Sequence, residues 1–296
     1  MASLRKIKER LTCSAMMMLT IASGLLLFVI SLGLLLRSRE ILEMKPIMEL
    51  LTSSVWKPGR GEFGFWPFIA GSLWVTLLSA LLAVPVSLLC AVYLSEYASR
   101  TVRAIAGPVL DMLSGIPSVV FGIWGVLALV PLVKDYIAPM TGRFSSGYTV
   151  LTAGIVLAVM IVPLIVHVAL SVLRSVGNDL RDASLSVGAT RWQTVKLVVL
   201  RKAVPGLAAA VVLGISRAFG ETMAVIMVAG NVAKAPKGLL SPAYPLPALI
   251  ANNYGEMLSI PLYDSALMFA AFLLLAVVII FNIAARLILK KMENIR

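Results

Sequence analysis

Arg217 and Glu221 are the residues of this chain whose types and spacing point most directly to chemistry. They lie four residues apart in the otherwise apolar run 211–228. On a helix this spacing places both side chains on one face, one turn apart. Charges inside a membrane span are costly, so the pair is expected to face a protein interior or a water-filled path. Either it is a permanent ion pair that locks the helix, or the arginine contacts an anion and Glu221 pairs with it between substrates.

A second group of candidate residues lies at 111–118. Pro117 with Gly115 is expected to interrupt a helix near the middle of the membrane. An interrupted helix exposes N–H groups and a positive dipole end, and Ser118 after the break would donate to an anion; the alternative is a packing kink. Asp111 would either accept the proton of a protonated oxyanion, which discriminates against a fully ionised one, or pair with a basic residue near the helix end.

Long apolar segments must position these side chains. Of the 296 residues, 60% are hydrophobic and 14% charged, and about 20 helical residues cross a hydrocarbon core. The composition predicts an all-α membrane protein, because a helix satisfies its own backbone polar groups. Six transmembrane helices are predicted: 13–36, 67–94, 105–133, 148–173, 204–230 and 266–289.

The spans divide the chain into two parts. Residues 1–66 are predicted to hold a first transmembrane helix and a periplasmic segment, and residues 67–296 a block of five helices. The first span is too long for a cleaved signal peptide and has no small-x-small site after it, so it is expected to be retained.

The charge of the chain indicates its orientation. The net charge is +12, and Lys and Arg are most frequent at the N-terminus, after span four and in the tail. The positive-inside rule therefore places both termini in the cytoplasm. No basic stripe interleaved with aromatic residues is present, so nucleic-acid binding is not expected.

The loop after span four, 174–203, has its own pattern. Asn178 or Asp179 is predicted to cap a short helix that Gly188 ends. Three apolar residues share one face of that helix: Leu180, Ala183 and Val187.

A second helix is predicted to start at Thr190, which forms a capping box with Gln193 and leads to span five. A short amphipathic helix held between two membrane anchors is suited to a groove on a soluble protein. The alternatives are a solvated loop and a DNA-reading helix-turn-helix, which tethering at both ends disfavours.

Enzyme classes find little support in the sequence. There is no Gly-x4-Gly-Lys-[Ser/Thr] loop for nucleotide phosphates and no Gly-x-Ser-x-Gly elbow. His167 is the only histidine, which excludes a His-Glu-x-x-His zinc motif, and it is expected to be a packing residue of span four. An intramembrane enzyme built on Asp111 and Glu221 remains an alternative.

The loop resembles the EAA loop of permease subunits in binding-protein-dependent ABC importers: Glu-Ala-Ala, three residues, Gly, nine residues, Ile-x-Leu-Pro. Gly188 falls in register, whereas Arg201 replaces the final proline, which removes the helix break before span five or moves it to Pro205. Three residues stand at the Glu-Ala-Ala positions: Asp182, Ala183 and Ser184.

Within those importers the chain is similar to the PstC-type phosphate permeases over most of its length after about residue 63. The stretches that carry this likeness are YLSEY at 93–97, IPSVVFGIWG at 116–125, GATRW at 188–192, RAFGETMAV at 217–225 and VAGN at 228–231. The resemblance implies the fold of a type I (MetI-like) ABC importer permease.

It also implies a multi-pass subunit of the cytoplasmic (inner) membrane that pairs with a PstA-like permease. A PstS-like binding protein would deliver phosphate, and a PstB-like ATPase dimer would use ATP and Mg, so this chain would bind no cofactor and be no enzyme. Docking to the ATPase is expected at Asp182, Ala183, Ser184 and Gly188. The substrate path is expected at Arg217, Glu221, Ser118 and Asp111. Alternatives are a sulfate or molybdate permease, or an ATP-independent anion channel or carrier, which would not need the docking loop.

Overall fold

Six long helices dominate the fold. The computed structural model describes residues 2–142, 144–256, 260 and 262–294. Within that part of the chain, six helices are long and apolar enough to cross a membrane, here called spans one to six: Leu11–Arg37, Trp66–Tyr97, Ser118–Met140, Val150–Ser175, Arg191–Gly220 and Tyr263–Ile288. The predicted all-α class and the number of spans are confirmed.

Shorter elements connect the spans in the first half of the chain. The elements are α1 Ala2–Arg37, α2 Arg39–Met44, α3 Ile47–Thr52, β1 Trp56–Lys57, β2 Glu62–Phe63, α4 Trp66–Val92, α5 Arg100–Gly115, α6 Ser118–Trp124, α7 Val130–Leu132 and α8 Ala138–Met140. The two short strands form an antiparallel hairpin with Trp56 opposite Phe63. Three π-helical turns complete spans two and three: Tyr93–Tyr97, Gly125–Leu129 and Val133–Ile137.

The second half holds the central span and the loop after it. Its elements are α9 Val150–Ser175, α10 Asn178–Ser186, α11 Arg191–Thr194, α12 Leu200–Gly220, α13 Met223–Val228, α14 Leu246–Asn253 and α15 Tyr263–Asn294. A π-helical turn, Val195–Val199, joins α11 to α12 within span five. The end of the bundle that carries α10 is called the loop end, and the opposite end the far end.

Span three begins later than the sequence suggested. The prediction of one span over 105–133 is wrong, because residues 100–115 form the separate helix α5 and span three begins at Ser118. Ile116, between them, is extended (φ −65°, ψ 129°). A residue before proline is biased away from the helical region, and Pro117 supplies that constraint. The predicted break at Gly115 and Pro117 is therefore confirmed and is complete.

Span five is also displaced from its predicted range of 204–230. It begins at Arg191 and ends at Gly220, so α13 is a separate short helix. The chain has no helix break at Arg201 or Pro205, since both lie inside α12. The π-helical turn comes directly before α12 instead. A π-helical turn accommodates a local irregularity in the backbone hydrogen bonds of a helix. A proline such as Pro205, which has no N–H, causes such an irregularity.

Span four is the axis of the bundle. More than half of its most apolar window, 56%, is buried, against at most 33% for every other span. Glycines allow its neighbours to approach: a β-carbon at Gly154 would lie 2.6 Å from Leu78 of span two. On span five, Gly206 contacts Val172 and Gly214 contacts Ile165, again with no room for a β-carbon.

The segment between spans one and two is anchored at the far end by aromatic packing. The ring of Trp56 makes edge contacts with four others, at centroid distances of 5.4 Å to Phe63, 5.5 Å to Phe65, 4.8 Å to Phe68 and 6.1 Å to Tyr263. Such pairs each add about 0.5–1.5 kcal/mol beyond area burial. They hold the hairpin against the starts of spans two and six.

Replacing Gly214 by alanine should loosen spans four and five. The new methyl group would overlap Ile165, and overpacking of this kind costs about 1–3 kcal/mol. We expect a lower apparent melting temperature for the purified chain in detergent. The matched control is Gly107→Ala in α5, where nothing lies within 4 Å of the added atom. Alanine should there be neutral or stabilising by about 0.5–1 kcal/mol. Equal melting temperatures for the two variants would contradict the close packing.

Candidate functional site: a mid-depth arginine and a helical docking loop

Side-chain contacts fix the depth of Arg217. Gly214 faces Ile165 and Gly206 faces Val172, so spans four and five are antiparallel and Arg217 lies level with Val162. At a rise of ~1.5 Å per residue, this level is about 18 Å from the start of span four. Span four has 26 residues, so Arg217 lies near the middle of the bundle.

Ser118 lies at almost the same depth. Gly125 of span three contacts Val156 of span four, and Asp111 contacts His167, which makes these segments antiparallel as well. Continuing this register places Ser118 level with Pro163 of span four. The break before span three and the predicted anion contact are therefore at one level.

Arg217 is exposed at the surface of the single chain. Within the described residues its guanidinium makes no hydrogen bond or ion pair. The neighbouring Ser216 donates to Asn282 Oδ1 of span six at 3.1 Å, which fixes the rotation of span five. An arginine at this depth is costly in lipid, so this face must meet another protein surface or water.

The predicted pairing of Arg217 with Glu221 is not formed. Glu221 lies beyond the end of α12 with extended backbone (φ −71°, ψ 124°), so the two side chains no longer share a helical face. Its Oε1 accepts a hydrogen bond from the Ala224 N–H at 3.3 Å, near the start of α13. Gly220 ends the helix here because glycine weakens helix interiors. The spacing in the sequence assumed one continuous helix.

Asp111 and His167 form a second polar contact. His167 Nδ1 lies 3.4 Å from Asp111 Oδ1, and the two side chains are 63% and 65% exposed. The prediction that His167 is a packing residue is therefore wrong, whereas the alternative that Asp111 pairs with a basic residue agrees with this contact. By helical rise this contact lies about 8 Å nearer the loop end than Arg217.

The loop after span four has the predicted helix, glycine turn and helix. Gly177 is the N-cap of α10 and offers no side chain, so the prediction of an Asn178 or Asp179 cap is wrong. Gly188 has φ +85°, which glycine adopts at no steric cost, and the helix ends before it as expected. The capping box at Thr190 is also confirmed, since its N–H donates to Gln193 Oε1 at 2.8 Å.

The four predicted docking residues occupy one short stretch. Asp182, Ala183 and Gly188 are exposed, whereas Ser184 contacts Thr194 at the start of span five, with 3.0 Å between the hydroxyl oxygens. The apolar edge of α10 is not covered by this chain: Leu180 is 45% and Val187 83% exposed. The helix is thus fixed on one side and open on the other.

The strongest contact of this loop was not predicted. Arg181 donates from Nη2 to Glu96 Oε1 at 2.8 Å and from Nε to Glu96 Oε2 at 3.2 Å, a bidentate pair. Arg181 also donates to the Leu173 carbonyl at 3.0 Å. The two side chains of the pair are only 16% and 9% exposed. Glu96 and Arg181 are 85 positions apart, so no local spacing pattern could predict that they pair. The sequence pointed only to Glu96, which lies within the stretch YLSEY at 93–97.

Metal-ligand clusters do not occur in the part of the chain that the structure describes: no three His, Cys, Asp or Glu side chains come together there. The polar groups at mid-depth are suited to contacting an anion, and the loop end to holding a partner.

Comparisons with known proteins identify the family of the chain. The family model described as "Binding-protein-dependent transport system inner membrane component" matches residues 83–294. The chain is 33% identical over 278 residues to the phosphate transport system permease protein PstC of Xylella fastidiosa, covering 89% of this chain and 85% of that protein. It is 38% identical over 247 residues to the probable ABC transporter permease protein YqgH of Bacillus subtilis, covering 83% and 77%.

A solved structure supports the fold. The chain superimposes on a chain of a bacterial alginate ABC transporter, crystallised in complex with an alginate pentasaccharide-bound periplasmic protein, with a TM-score of 0.65. The two are 19% identical, and the match covers 95% of this chain and 94% of the other. The architecture is that of a type I, MetI-like ABC importer permease.

Fold and loop together define the membrane component of an importer. The chain belongs to the family of binding-protein-dependent transport system inner membrane components, and within it to the PstC-type permeases. Members of this class are transport subunits in the inner membrane that work with ATPase and binding-protein partners.

Removing one partner of the buried pair should release the loop helix α10. Glu96→Gln leaves the Arg181 charge without a counter-ion, and breaking a largely buried pair costs about 3–5 kcal/mol. We expect faster amide hydrogen exchange in α10 and a lower melting temperature. Glu43→Gln is the control, because the Arg39–Glu43 pair is 70% and 71% exposed and such pairs contribute about 0–1 kcal/mol. Unchanged exchange in α10 of Glu96→Gln would show that the pair does not hold it.

Proposed function

We propose that this chain is the permease subunit of a phosphate importer, driven by ATP hydrolysis in separate ATPase chains. The observation that carries the proposal is Arg217, an exposed arginine near the end of span five and level with the middle of span four, which pairs with no side chain among the described residues. A guanidinium stays charged when desolvated and presents two parallel donors to a tetrahedral oxyanion. The relatives named as phosphate transport permeases favour phosphate over sulfate or molybdate.

A second permease subunit completes the path. The face that carries Arg217 is open in the single chain, and lipid is a poor surrounding for a charge. A PstA-like partner would cover this face and enclose a path between the two chains. Arg217 then meets the partner and the substrate instead of lipid.

Two helix interruptions support the position of this path. Span three starts at Ser118, and span five stops at Gly220, at nearly one depth by the registers of both with span four. Interrupted helices in transporters place free N–H groups and dipole ends at the substrate. Ser118 is proposed as a donor to phosphate. Glu221, displaced from Arg217, is proposed to line the path and to limit the cost of the positive charge.

The loop end is proposed to lie in the cytoplasm, together with both termini. The predicted excess of Lys and Arg on this side supports that orientation. The open apolar edge of α10 supports docking of a PstB-like ATPase dimer, which would bind ATP and Mg. Asp182, Ala183, Ser184 and Gly188 would form this contact, and a PstS-like binding protein would dock at the far end.

Transport then follows from movement of α10. The ATPase dimer would shift α10 as it closes on ATP, and the Ser184 and Arg181 contacts would pass this movement to spans five and two. Span five would carry Arg217 between a path open to the binding protein and one open to the cytoplasm. The energy comes from another chain, so no catalytic group is required in this one.

Arg217→Gln should abolish uptake without preventing assembly. Glutamine keeps hydrogen-bonding capacity but removes the charge that holds a dianion, so we expect at least about a hundredfold slower phosphate uptake. The measurement is uptake and ATP hydrolysis by the complex reconstituted in proteoliposomes.

The matched control for that experiment is Arg201→Gln, an exposed arginine of the same span toward the loop end. It should transport as the parent does. Normal transport by Arg217→Gln would refute the anion contact. If the parent complex transports another oxyanion instead of phosphate, the family assignment stands and the proposed substrate is wrong.

Asp111→Asn should increase competition by sulfate in phosphate uptake. A carboxylate accepts the proton of hydrogen phosphate and repels sulfate, which has no proton to donate. His167→Leu is the control, because leucine has no polar group to contact Asp111 and the carboxylate is kept. An effect of similar size in both variants would show that the Asp111–His167 pair has a structural role. An unchanged preference for phosphate over sulfate in Asp111→Asn would show that this carboxylate does not select the substrate.

A further inference from the structure

A polar cavity lies at the loop end, about 8 Å or more from any residue of the proposed path by helical rise. Its volume is about 270 Å³, and its lining includes four arginines and a single carboxylate: Arg103, Arg174, Arg181, Arg191 and Glu96. The carboxylate is already engaged, since Glu96 accepts from Arg181 and from the Ser95 hydroxyl at 2.8 Å. Glu96 also interacts electrostatically with Arg103, so one carboxylate is shared between two of the four arginines, and the lining keeps an excess of positive charge.

The donors of these arginines are only partly used. Arg103 gives Nη2 to the Ser95 carbonyl at 2.8 Å, but its Nε is buried without a partner. Arg191 gives Nη2 to the Glu96 carbonyl at 2.7 Å and lies over the Tyr97 ring. Arg174 is exposed and forms no hydrogen bond or ion pair with another described side chain. A buried guanidinium N–H without an acceptor is costly, and it signals a missing one.

We propose that this cavity binds a phosphoryl anion. Four guanidinium groups and a single carboxylate line one polar space, and guanidinium binds tetrahedral oxyanions with parallel charge-assisted hydrogen bonds. A water occupies about 30 Å³ in the liquid, so the volume accommodates an inorganic phosphate with several waters, or a lipid phosphate group at the membrane edge. An acceptor there would satisfy Arg103 Nε.

The bound anion would link four elements. Arg103 belongs to α5, Arg174 to the end of span four, Arg181 to α10 and Arg191 to the start of span five. An anion shared among them would resist movement of α10 relative to the spans. This consequence rests on the proposed function: phosphate released on the loop side would bind the cavity and slow further import.

Binding is tested separately from transport. The assembled complex is placed in phosphatidylcholine nanodiscs without ATP, and amide hydrogen exchange of peptides 95–103 and 174–191 is followed against inorganic phosphate at constant ionic strength, with chloride as balance. We expect saturable protection in the parent. Arg174→Gln, which removes one ligand from an exposed position, should raise the phosphate midpoint about tenfold.

Arg100→Gln is the matched control, because Arg100 is an exposed arginine of α5 that does not line the cavity. It should match the parent. Absence of protection, or one midpoint for all three proteins, would overturn the proposal.

Lipid and free phosphate are distinguished by a second arm. If phosphatidylglycerol nanodiscs protect the same peptides without free phosphate, and Arg174→Gln abolishes that protection, the lipid headgroup is the source of the phosphoryl anion. If lipid protection is equal in Arg174→Gln and the parent, it does not come from this cavity.

A transport arm tests the consequence. Proteoliposomes preloaded with phosphate on the loop side should show slower initial uptake for the parent and Arg100→Gln, and unslowed uptake for Arg174→Gln. If empty vesicles take up no phosphate with any protein, the proposed function fails, while the exchange data still decide whether the cavity binds an anion. Equal slowing in all three would refute regulation through the cavity.

Discussion

A guanidinium in the middle of a membrane constrains the rest of this structure. The guanidinium of Arg217 lies level with the middle of span four, a depth at which hydrocarbon would offer it no acceptor. Its face must therefore be covered by protein and water, and that requirement accounts for a chain that leaves mid-depth polar groups on its own surface. A free-standing carrier would place such a group inside its own bundle. In the proposed function the path is shared with a partner, which would place Arg217 at the interface between the two chains.

Close packing around span four is the second constraint on the structure. Span four is held by glycine contacts to spans two and five, at Gly154, Gly206 and Gly214. Close backbone approach leaves little freedom for these helices to slide, because the interdigitated side chains are locked at native density. The packed half serves as a frame, and the interrupted helices at Ser118 and Gly220 lie on its open side.

The sequence predicted what apolar length and capping chemistry determine, and missed what depends on contacts distant in the chain. Hydropathy gave six spans, and the capping box at Thr190 and the turn at Gly188 followed from local backbone needs. The prediction of an Arg217–Glu221 pair failed because the four-residue spacing assumes one unbroken helix, whereas α12 ends at Gly220. The Glu96–Arg181 pair was invisible, since no local pattern records a contact between residues 85 apart.

The contacts of α10 also decide where span five can bend. Ser184 links α10 to Thr194, so the first turn of span five is joined to the loop, whereas Arg191 donates to the Glu96 carbonyl and joins that turn to the end of span two. The π-helical turn Val195–Val199 comes directly after Thr194, and Pro205 lies within α12, which follows that turn. Both are points where the regular bond ladder is weakened. Gly206 and Gly214 then fasten the next turns to span four. Movement of the loop is therefore expected to bend span five between Val195 and Pro205. The part of span five that carries Arg217 would then tilt as a unit. It would not slide along span four, because the close contacts at Gly206 and Gly214 prevent sliding.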